Sequence, residues 1–217
     1  MNNLLCFLPI SIFGINPYKN TEKESIWQNQ RIKQYTTGIE TFFKYYDILK
    51  KNNVKVFIFD NTLESKDKIP DEILSVIPED VTVKVCYANK YGKNKGAGLI
   101  EAWTLNIDEI KDFDYLIHFE PRQLLNSFYF INNFLSDNRN IFTINVNRHA
   151  PKHFNTGLFT IKVEYITKFI NEFPPEKLNC SIEHILYRFF KNNNLEFDTL
   201  DKMDLFWYPI WGGRHHW

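Results

Sequence analysis

The sequence has little of what marks several broad classes of protein. Its 217 residues include only three cysteines and eight glycines, and 26 basic residues are balanced by 26 acidic ones. With zero net charge the chain has no long-range field to collect phosphate backbones, which argues against a dedicated nucleic-acid binder. Cys6, Cys86 and Cys180 are far apart and form no CxxC or zinc-type spacing, so they favour reduced thiols and a cytoplasmic location.

A long apolar run is also missing. The N-terminal stretch 4–13 falls well short of the roughly 20 apolar residues that a membrane-spanning helix needs. No positive charge precedes it, Pro9 interrupts it, and no small-residue cleavage site follows it, so a secretion signal is not expected. The stretch is better interpreted as a buried first strand, and any contact with a membrane is expected to be peripheral.

The chain does contain an alternation of strand and helix patterns. Apolar runs predict strands over 4–12, 54–59, 81–87, 115–119, 141–146 and 158–161. Helical periodicity predicts helices over 24–51, 71–77, 99–105, 123–136, about 162–173, and 181–192. This alternation with short connections predicts an α/β fold with a mostly parallel central sheet flanked by helices. Since no repeat or low-complexity linker interrupts it, residues 1–217 are expected to form one domain.

Polar residues follow four of the predicted strands. Ligands of parallel sheets bind beyond the carboxyl ends of the strands, so these residues are candidates for a site. They are Asp60-Asn61, the glycine-containing stretch 89–98, Glu120-Pro121-Arg122 and the segment 147–149.

The order of these segments resembles the nucleotide-sugar glycosyltransferases of the GT-A fold. The likeness is carried by VFIFDNT, NKYGKNKGAG, DYLIHFEPR, and FNTGLFTI with SIEHILYRFF, which together span about residues 3–190. The family often has a strand ending in a nucleoside-binding Asp, an asparagine-and-glycine stretch, an acidic Asp-x-Asp motif, and an acceptor segment before a helix with a catalytic carboxylate. The resemblance therefore implies a single GT-A-like, Rossmann-like domain.

The resemblance also implies roles for particular residues. The donor, a UDP- or GDP-sugar, would be bound by Asp60, Asn61, Asn89, Lys95 and Glu120. Asn155, Thr156 and Gly157 would lie beside a glycan or lipid-linked acceptor, and Arg122 and Glu183 would be catalytic. Glu183 would act as the general base, because a free hydroxyl is a poor nucleophile at neutral pH. Such an enzyme would serve polysaccharide biosynthesis in the cytoplasm.

One departure from the family concerns the metal. Glu120-Pro121-Arg122 supplies a single carboxylate where the Asp-x-Asp motif supplies two to hold Mg²⁺ or Mn²⁺ against the diphosphate. Glu120 is then expected to be a weak metal ligand, with His215 as a second weak candidate. Metal-independent catalysis is equally open, with Arg122 or Lys95 stabilising the departing diphosphate.

Each of these residues also has an ordinary structural interpretation. Asp60 could cap the turn that follows it, and Glu120 could simply pair with Arg122. The stretch 92–98 could be a lysine-rich turn. Glu183 could owe its position to the helix dipole, and His215 lies in a terminal segment.

Three alternative functions remain open. A sugar-1-phosphate nucleotidyltransferase shares a related architecture, but its Gly-rich, Arg-containing loop after the first strand is replaced by the segment 14–17. A non-catalytic binding or assembly subunit would account for the single carboxylate at Glu120. The segment 59–63 faintly resembles the first motif of haloacid dehalogenase-type phosphatases, but Thr62 stands where the second carboxylate is required.

Overall fold

The computed structural model describes residues 2–14, 18–88, 90–91, 94–145, 152–178, 180–203 and 205–207. The described strands are β1 (Leu4–Ile10), β2 (Val54–Asp60), β3 (Thr82–Val85), β4 (Tyr115–Phe119), β5 (Gln123–Leu125), β6 (Ile141–Asn145), β7 (His153–Lys162), β8 (Asp198–Thr199) and β9 (Leu205–Trp207). The described helices are α1 (Glu24–Phe43), α2 (Tyr46–Lys51), α3 (Asp71–Leu74), α4 (Lys95–Leu105), α5 (Ile107–Ile110), α6 (Tyr129–Ser136), α7 (Val163–Glu172) and α8 (Ile182–Asn192).

Seven of these strands form one sheet in the order β3-β2-β1-β4-β7-β6-β8. Only β7 is antiparallel to its two neighbours, and the other adjacent pairs are parallel. The predicted α/β class with a mostly parallel sheet is therefore confirmed. A short second sheet joins β5 to β9.

Helices cover both faces of the large sheet, which explains why its central strands are apolar at every position. In β1, Leu4, Cys6 and Leu8 belong to one core cluster, whereas Leu5 and Phe7 belong to the other. The first cluster packs under α1 and α6, and the second under α4, α7 and α8. Successive residues of a strand point to opposite faces, so a strand buried on both sides shows a continuous apolar run.

Three local predictions were wrong. The helix predicted over 24–51 is two helices, because the chain turns at Lys44 and Tyr45 between α1 and α2. The segment predicted to be helical over 123–136 begins as β5. The segment around Asn155, expected to be a loop before a strand, lies inside β7, where it pairs with Thr143 of β6. For β5, pairing with the distant β9 overrides the local pattern, whereas around Asn155 the chain pairs with the preceding strand β6.

Within the described part of the chain, no helix combines the length and the apolar character that crossing a bilayer requires.

Candidate functional site

The candidate site lies at the carboxyl end of the sheet, where β1, β2, β3 and β4 all finish. Because β7 is antiparallel to β4, it enters the sheet at this same end. The backbone N–H of Glu120 donates to the carbonyl oxygen of Gly157 at 2.8 Å. Two of the segments singled out in the sequence, the one after β4 and the start of β7, are thereby joined.

Several of the predicted positions lie outside the described residues. Asn89 and His215 lie outside the described residues, as does the side chain of Lys95, and the segment 147–149 lies outside them too. Their proposed roles stay predictions.

The carboxylate of Asp60 is hydrogen-bonded to the loops that follow β1 and β2. Its carboxylate accepts hydrogen bonds from the backbone N–H groups of Ile12 (3.0 Å), Thr62 (2.6 Å) and Leu63 (2.8 Å), and from the Thr62 hydroxyl (2.8 Å). The residue has no exposed surface. Burial raises the pKa of Asp60, and these hydrogen bonds partly offset the rise. The geometry supports the turn-capping interpretation, and a direct contact between Asp60 and a nucleoside stays a prediction.

A polar cluster lies beside Asp60 at the ends of the first three strands. The Ser11 hydroxyl donates to Oδ1 of Asn61 at 2.8 Å, and the Ala88 N–H donates to the Asn61 carbonyl oxygen at 3.2 Å. Glu101 of α4 accepts hydrogen bonds from the Asn61 side chain and the Lys90 N–H. Burial is the main cause that raises the pKa of Glu101.

An arginine pair occupies the next position along the sheet, at the ends of β1 and β4. Arg122 pairs with Glu120, and their side chains are 19% and 24% exposed. Arg31 of α1 donates to the carbonyl oxygens of Ser11 and Ile12 and, at 3.1 Å, to the Tyr35 hydroxyl, all of which are neutral groups.

The two arginines influence each other. Burial lowers the pKa of Arg122, the Tyr35 hydroxyl opposes this, and the positive charge of Arg31 adds to it. A guanidinium stays charged under such conditions. The cluster of Arg31, Arg122 and Glu120 thus holds two positive charges against one negative charge in a half-buried position. Such a cluster is suited to binding an anion.

A glycine of α1 positions the Arg122 segment. A Cβ atom on Gly38 would overlap the carbonyl oxygen of Pro121 and lie 2.7 Å from that of Gln123. Backbone cannot move aside as a flexible side chain can, so only glycine allows α1 to approach this closely.

The predicted acceptor segment meets the predicted base at the start of β7. The Thr156 hydroxyl donates to Oε1 of Glu183 at 3.3 Å, and the Asn155 side chain accepts from the Gly157 N–H at 2.9 Å. Glu183 lies in the first turn of α8 and is half-buried, so its carboxylate is both held and accessible. This geometry brings the carboxylate to an edge where a substrate hydroxyl could reach it.

A histidine pair flanks Glu183. The rings of His153 and His184 lie 4.6 Å apart, and His153 also contacts the Asn145 side chain at 3.3 Å. Burial and the neighbouring His153 lower the pKa of His184, and Glu183 opposes this.

The described residues make a poor site for a divalent metal ion. Among them no group of three His, Cys, Asp or Glu side chains is close enough to share an ion. The carboxylate of Glu120 is already paired with Arg122. Mg²⁺ and Mn²⁺ prefer several oxygen ligands, and the part of the chain that the structure describes offers no such set, so a metal requirement stays a prediction.

Sequence reasoning missed Arg31 and Glu101, because both lie on helices far along the chain from the strand ends they approach. The spacing of Arg31 and Tyr35, four residues apart on α1, is the signal that could have identified the arginine. Glu101 sits in a largely apolar helix, where a carboxylate is unusual.

Comparison with known proteins gives no match in sequence and clear matches in structure. No model of a protein family matches the chain, and no curated protein matches it. A structure from Desulfovibrio desulfuricans G20, assigned as a nucleotide-diphospho-sugar transferase, is similar with a TM-score of 0.54 and 9% identity over 92% of this chain and 80% of that one. A nucleoside-diphosphate-sugar pyrophosphorylase from Vibrio cholerae RC9 is similar with a TM-score of 0.54 and 8% identity over 93% and 94% of the two chains.

The fold is GT-A-like. A third structure agrees with this, an assigned glucose-1-phosphate thymidylyltransferase from Bacillus anthracis, which has a TM-score of 0.52 and 10% identity over 91% of this chain and 86% of that one. At such low identity the similarities establish the GT-A-like fold, and the chemistry has to be argued from the side chains at the carboxyl end of the sheet.

Proposed function

We propose that the protein is a glycosyltransferase that moves a sugar from a nucleotide-diphosphate donor to a hydroxyl group of an acceptor. The observation that carries this is the placement of two different groups at the same, carboxyl end of the sheet. The arginine pair of Arg31 and Arg122 lies at the end of β4, and Glu183 lies beside Thr156 on the neighbouring β7. A transferase in which the acceptor hydroxyl displaces the diphosphate directly, with inversion, needs both an anion site and a base.

The arginine pair would bind the diphosphate of the donor. As the bond between the anomeric carbon and the diphosphate oxygen breaks, the electron pair leaves with the diphosphate, and its charge needs compensation. Arg122 and Arg31 supply fixed positive charge in a half-buried position, where charge-assisted hydrogen bonds are strong. Lys95 remains a further candidate for this role. We infer that the reaction needs no metal ion, since Glu120 is paired with Arg122.

Glu183 would act as the general base. Its carboxylate would take the proton of the acceptor hydroxyl while that oxygen forms a bond to the anomeric carbon. Thr156 already donates to this carboxylate, which holds it in place next to Asn155 and Gly157. These three residues would line the acceptor side.

The wider context of the reaction is part of the same proposal. We expect a UDP- or GDP-sugar as donor and a glycan or a lipid-linked glycan as acceptor, in polysaccharide biosynthesis. We expect a cytoplasmic protein that reaches a lipid-linked acceptor by peripheral contact with the membrane.

The test is a thermal-shift and calorimetry panel of UDP, GDP, CMP, dTDP and their sugars, with Mn²⁺ and with EDTA. A ligand at 100 times its Kd adds about 2.7 kcal/mol, which shifts Tm by roughly 5–10 °C for a chain of this size. We expect one nucleotide family to shift Tm, equally with Mn²⁺ and with EDTA. A shift that needs Mn²⁺ would contradict the metal-independent mechanism.

Arg122→Gln and its matched control Arg139→Gln complete the experiment. Arg139 is also half-buried and paired with a carboxylate, that of Asp198, but it precedes β6 at the opposite end of the sheet. We expect Arg122→Gln to weaken diphosphate binding about tenfold or more, corresponding to about 1.4 kcal/mol, and Arg139→Gln to leave it unchanged.

If no nucleotide binds the wild-type protein, the donor site is disproved. Binding of a donor without sugar transfer would favour a non-catalytic subunit, and release of pyrophosphate from a nucleoside triphosphate and a sugar phosphate would favour a nucleotidyltransferase.

A further inference from the structure

Glu101 has a buried carboxylate oxygen with no partner. The residue is 6% exposed, and within the described structure Oε2 makes no hydrogen bond. The carboxylate meets the Lys90 N–H and the Asn61 side chain, which leaves part of its accepting capacity unused. An unpaired buried polar atom is destabilising, and native structures contain few of them. Among the buried polar atoms of the described residues that lack a partner, it is the one carboxylate oxygen.

The position of Glu101 is defined by its hydrogen-bond partners. Its partner Asn61 follows β2, is bonded to Ser11 after β1, and is bonded to Ala88 after β3. Glu101 thus belongs to the carboxyl ends of the first three strands, although it is carried by α4. No other described element supplies a carboxylate to this polar cluster apart from Asp60, whose oxygens are already bonded.

Three polar groups then follow one another along the sheet edge. Glu101 and Asn61 lie at β1–β3, the arginine pair lies between β1 and β4, and Thr156 with Glu183 lies at β7. A nucleotide-sugar has the same linear order, with the nucleoside, the diphosphate and the sugar in sequence. If the arginines bind the diphosphate, the nucleoside falls beside Glu101.

We propose that Glu101 is a specificity-determining residue of the donor site, whose free oxygen accepts a hydrogen bond from an N–H or O–H group of the nucleoside. This inference rests on the proposed function, because it takes its direction from a diphosphate held by Arg31 and Arg122. The shared chemistry is a donor group, which either the base or the ribose can supply. The Lys90 N–H and the Asn61 side chain hold the carboxylate in place for it.

The test compares Glu101→Gln with the wild-type protein by calorimetry, using UDP, GDP and their 2′-deoxy forms. In the variant the amide oxygen can still accept from Lys90 and Asn61, so the NH₂ group faces the donor group of the nucleoside. We expect Kd for the preferred nucleotide to rise about tenfold or more, and KM for the sugar donor to rise while kcat changes little. Weaker binding of the 2′-deoxy form to the wild-type protein assigns the contact to the ribose 2′-hydroxyl, and equal binding assigns it to the 3′-hydroxyl or the base.

Stability separates a ligand-binding role from a structural one. Since Glu101→Gln removes a buried charge that lacks full compensation, we expect the Tm of the ligand-free variant to equal or exceed that of the wild type. A lower Tm, or a variant that fails to fold, would overturn the inference, because it would mean that the carboxylate supports the fold. The control Glu109→Gln alters an exposed carboxylate paired with Lys84 and should leave Kd unchanged.

The two proposals fail in different ways. Equal nucleotide binding by wild type and Glu101→Gln overturns the role of Glu101 and leaves the proposed function standing. If the wild-type protein binds no nucleotide, the proposed function fails and the role of Glu101 fails with it.

Discussion

The two ends of the central sheet handle charge differently. At the amino end, charged groups pair with groups of opposite sign and at least one member of each pair is exposed, as in Lys111 with Asp108 at 2.7 Å and Arg139 with Asp198. At the carboxyl end, the half-buried Arg122 pairs with Glu120, the half-buried Arg31 donates to neutral groups, and Glu101 keeps an unpaired oxygen. Burying mismatched charge lowers stability, so it persists where a ligand supplies the missing partner. The contrast locates the site more firmly than any single motif in the sequence.

The largest expected effect separates two glutamates in equivalent helix positions. Glu183 and Glu164 each lie in the first turn of a helix, but at opposite ends of the sheet. We expect Glu183→Gln to lower kcat for sugar transfer by about 10²–10⁴-fold, because the acceptor hydroxyl loses its base. Glu164→Gln should change kcat by less than about twofold, as expected for a surface position without a catalytic contact. Initial rates at saturating donor and acceptor measure both, and an equal loss in the two variants would remove the functional difference between the ends.

The next effect concerns the close approach of α1 to the carboxyl end. We expect Gly38→Ala to lower the free energy of unfolding by about 2–4 kcal/mol, because its Cβ collides with the backbone of Pro121 and Gln123. Urea denaturation measures the change. Gly98 in α4 is the matched control, since a Cβ there meets nothing within 4 Å. Gly98→Ala should stabilise the protein by up to about 1 kcal/mol. Similar values for the two substitutions would show that α1 does not hold the Arg122 segment.

A third prediction concerns the middle of the sheet, between its two ends. His118 of β4 is buried against Phe159 and Trp103, and burial lowers its pKa to about 3. Unfolded histidine titrates near about 6.5, so between these values the unfolded state binds a proton that the folded state does not. The stability that His118 contributes is therefore complete above about pH 6.5 and is lost as the pH falls toward 3.

Substitution of His118 tests this titration. Relative to its own stability at pH 7, we expect His118→Phe to retain about 2–3 kcal/mol more at pH 4.5 than the wild type retains. Urea denaturation at the two pH values provides the comparison. A wild-type slope with pH that the substitution leaves unchanged would mean that the imidazole takes up its proton in the folded state.

The smallest effect is expected at the amino end. Lys111→Gln removes one member of an exposed pair, in which the side chains of Lys111 and Asp108 are 57% and 83% exposed. Such pairs contribute little, so the free energy of unfolding should change by less than about 0.5 kcal/mol. Denaturation at low and high salt measures this. A loss above 1 kcal/mol would show that the amino end depends on its ion pairs, and would weaken the contrast with the carboxyl end.

The sequence predicted the strands of the parallel sheet well, but it did not predict β5 or the full extent of β7. The strand over 115–119 is confirmed residue for residue, and the first two strands end within two residues of the prediction. Strands that are buried on both faces have continuous apolar runs in the sequence, and such runs can be recognised over a few residues. β5 was missed because Gln123-Leu124-Leu125 has no strand pattern of its own and forms a strand by pairing with β9, about 80 residues away.

Some residues of the candidate site could likewise be predicted from the sequence, and others could not. Glu120, Arg122, Thr156 and Glu183 could be named from the sequence, because each follows a strand or opens a helix in a recognisable segment, and the structure brings them to one edge. Whether they act in catalysis stays a prediction for the experiments above. The role of Asp60 was not decided by its position at a strand end, since a turn-capping and a ligand-binding aspartate look alike in sequence.

By itself, the sequence determined the alternation of strands and helices, the apolar core of the sheet, and the types of polar residue that follow the strands. These depend on local periodicity and on burial, which are encoded residue by residue. Only the tertiary structure decided that β7 runs antiparallel to β4 and that the Asp60 carboxylate is hydrogen-bonded to the loops around it. It also decided that Arg31 of α1 and Glu101 of α4 both reach the carboxyl end of the sheet. The reason is physical: such contacts join residues far apart in the chain, and their geometry exists only once the helices have packed on the sheet.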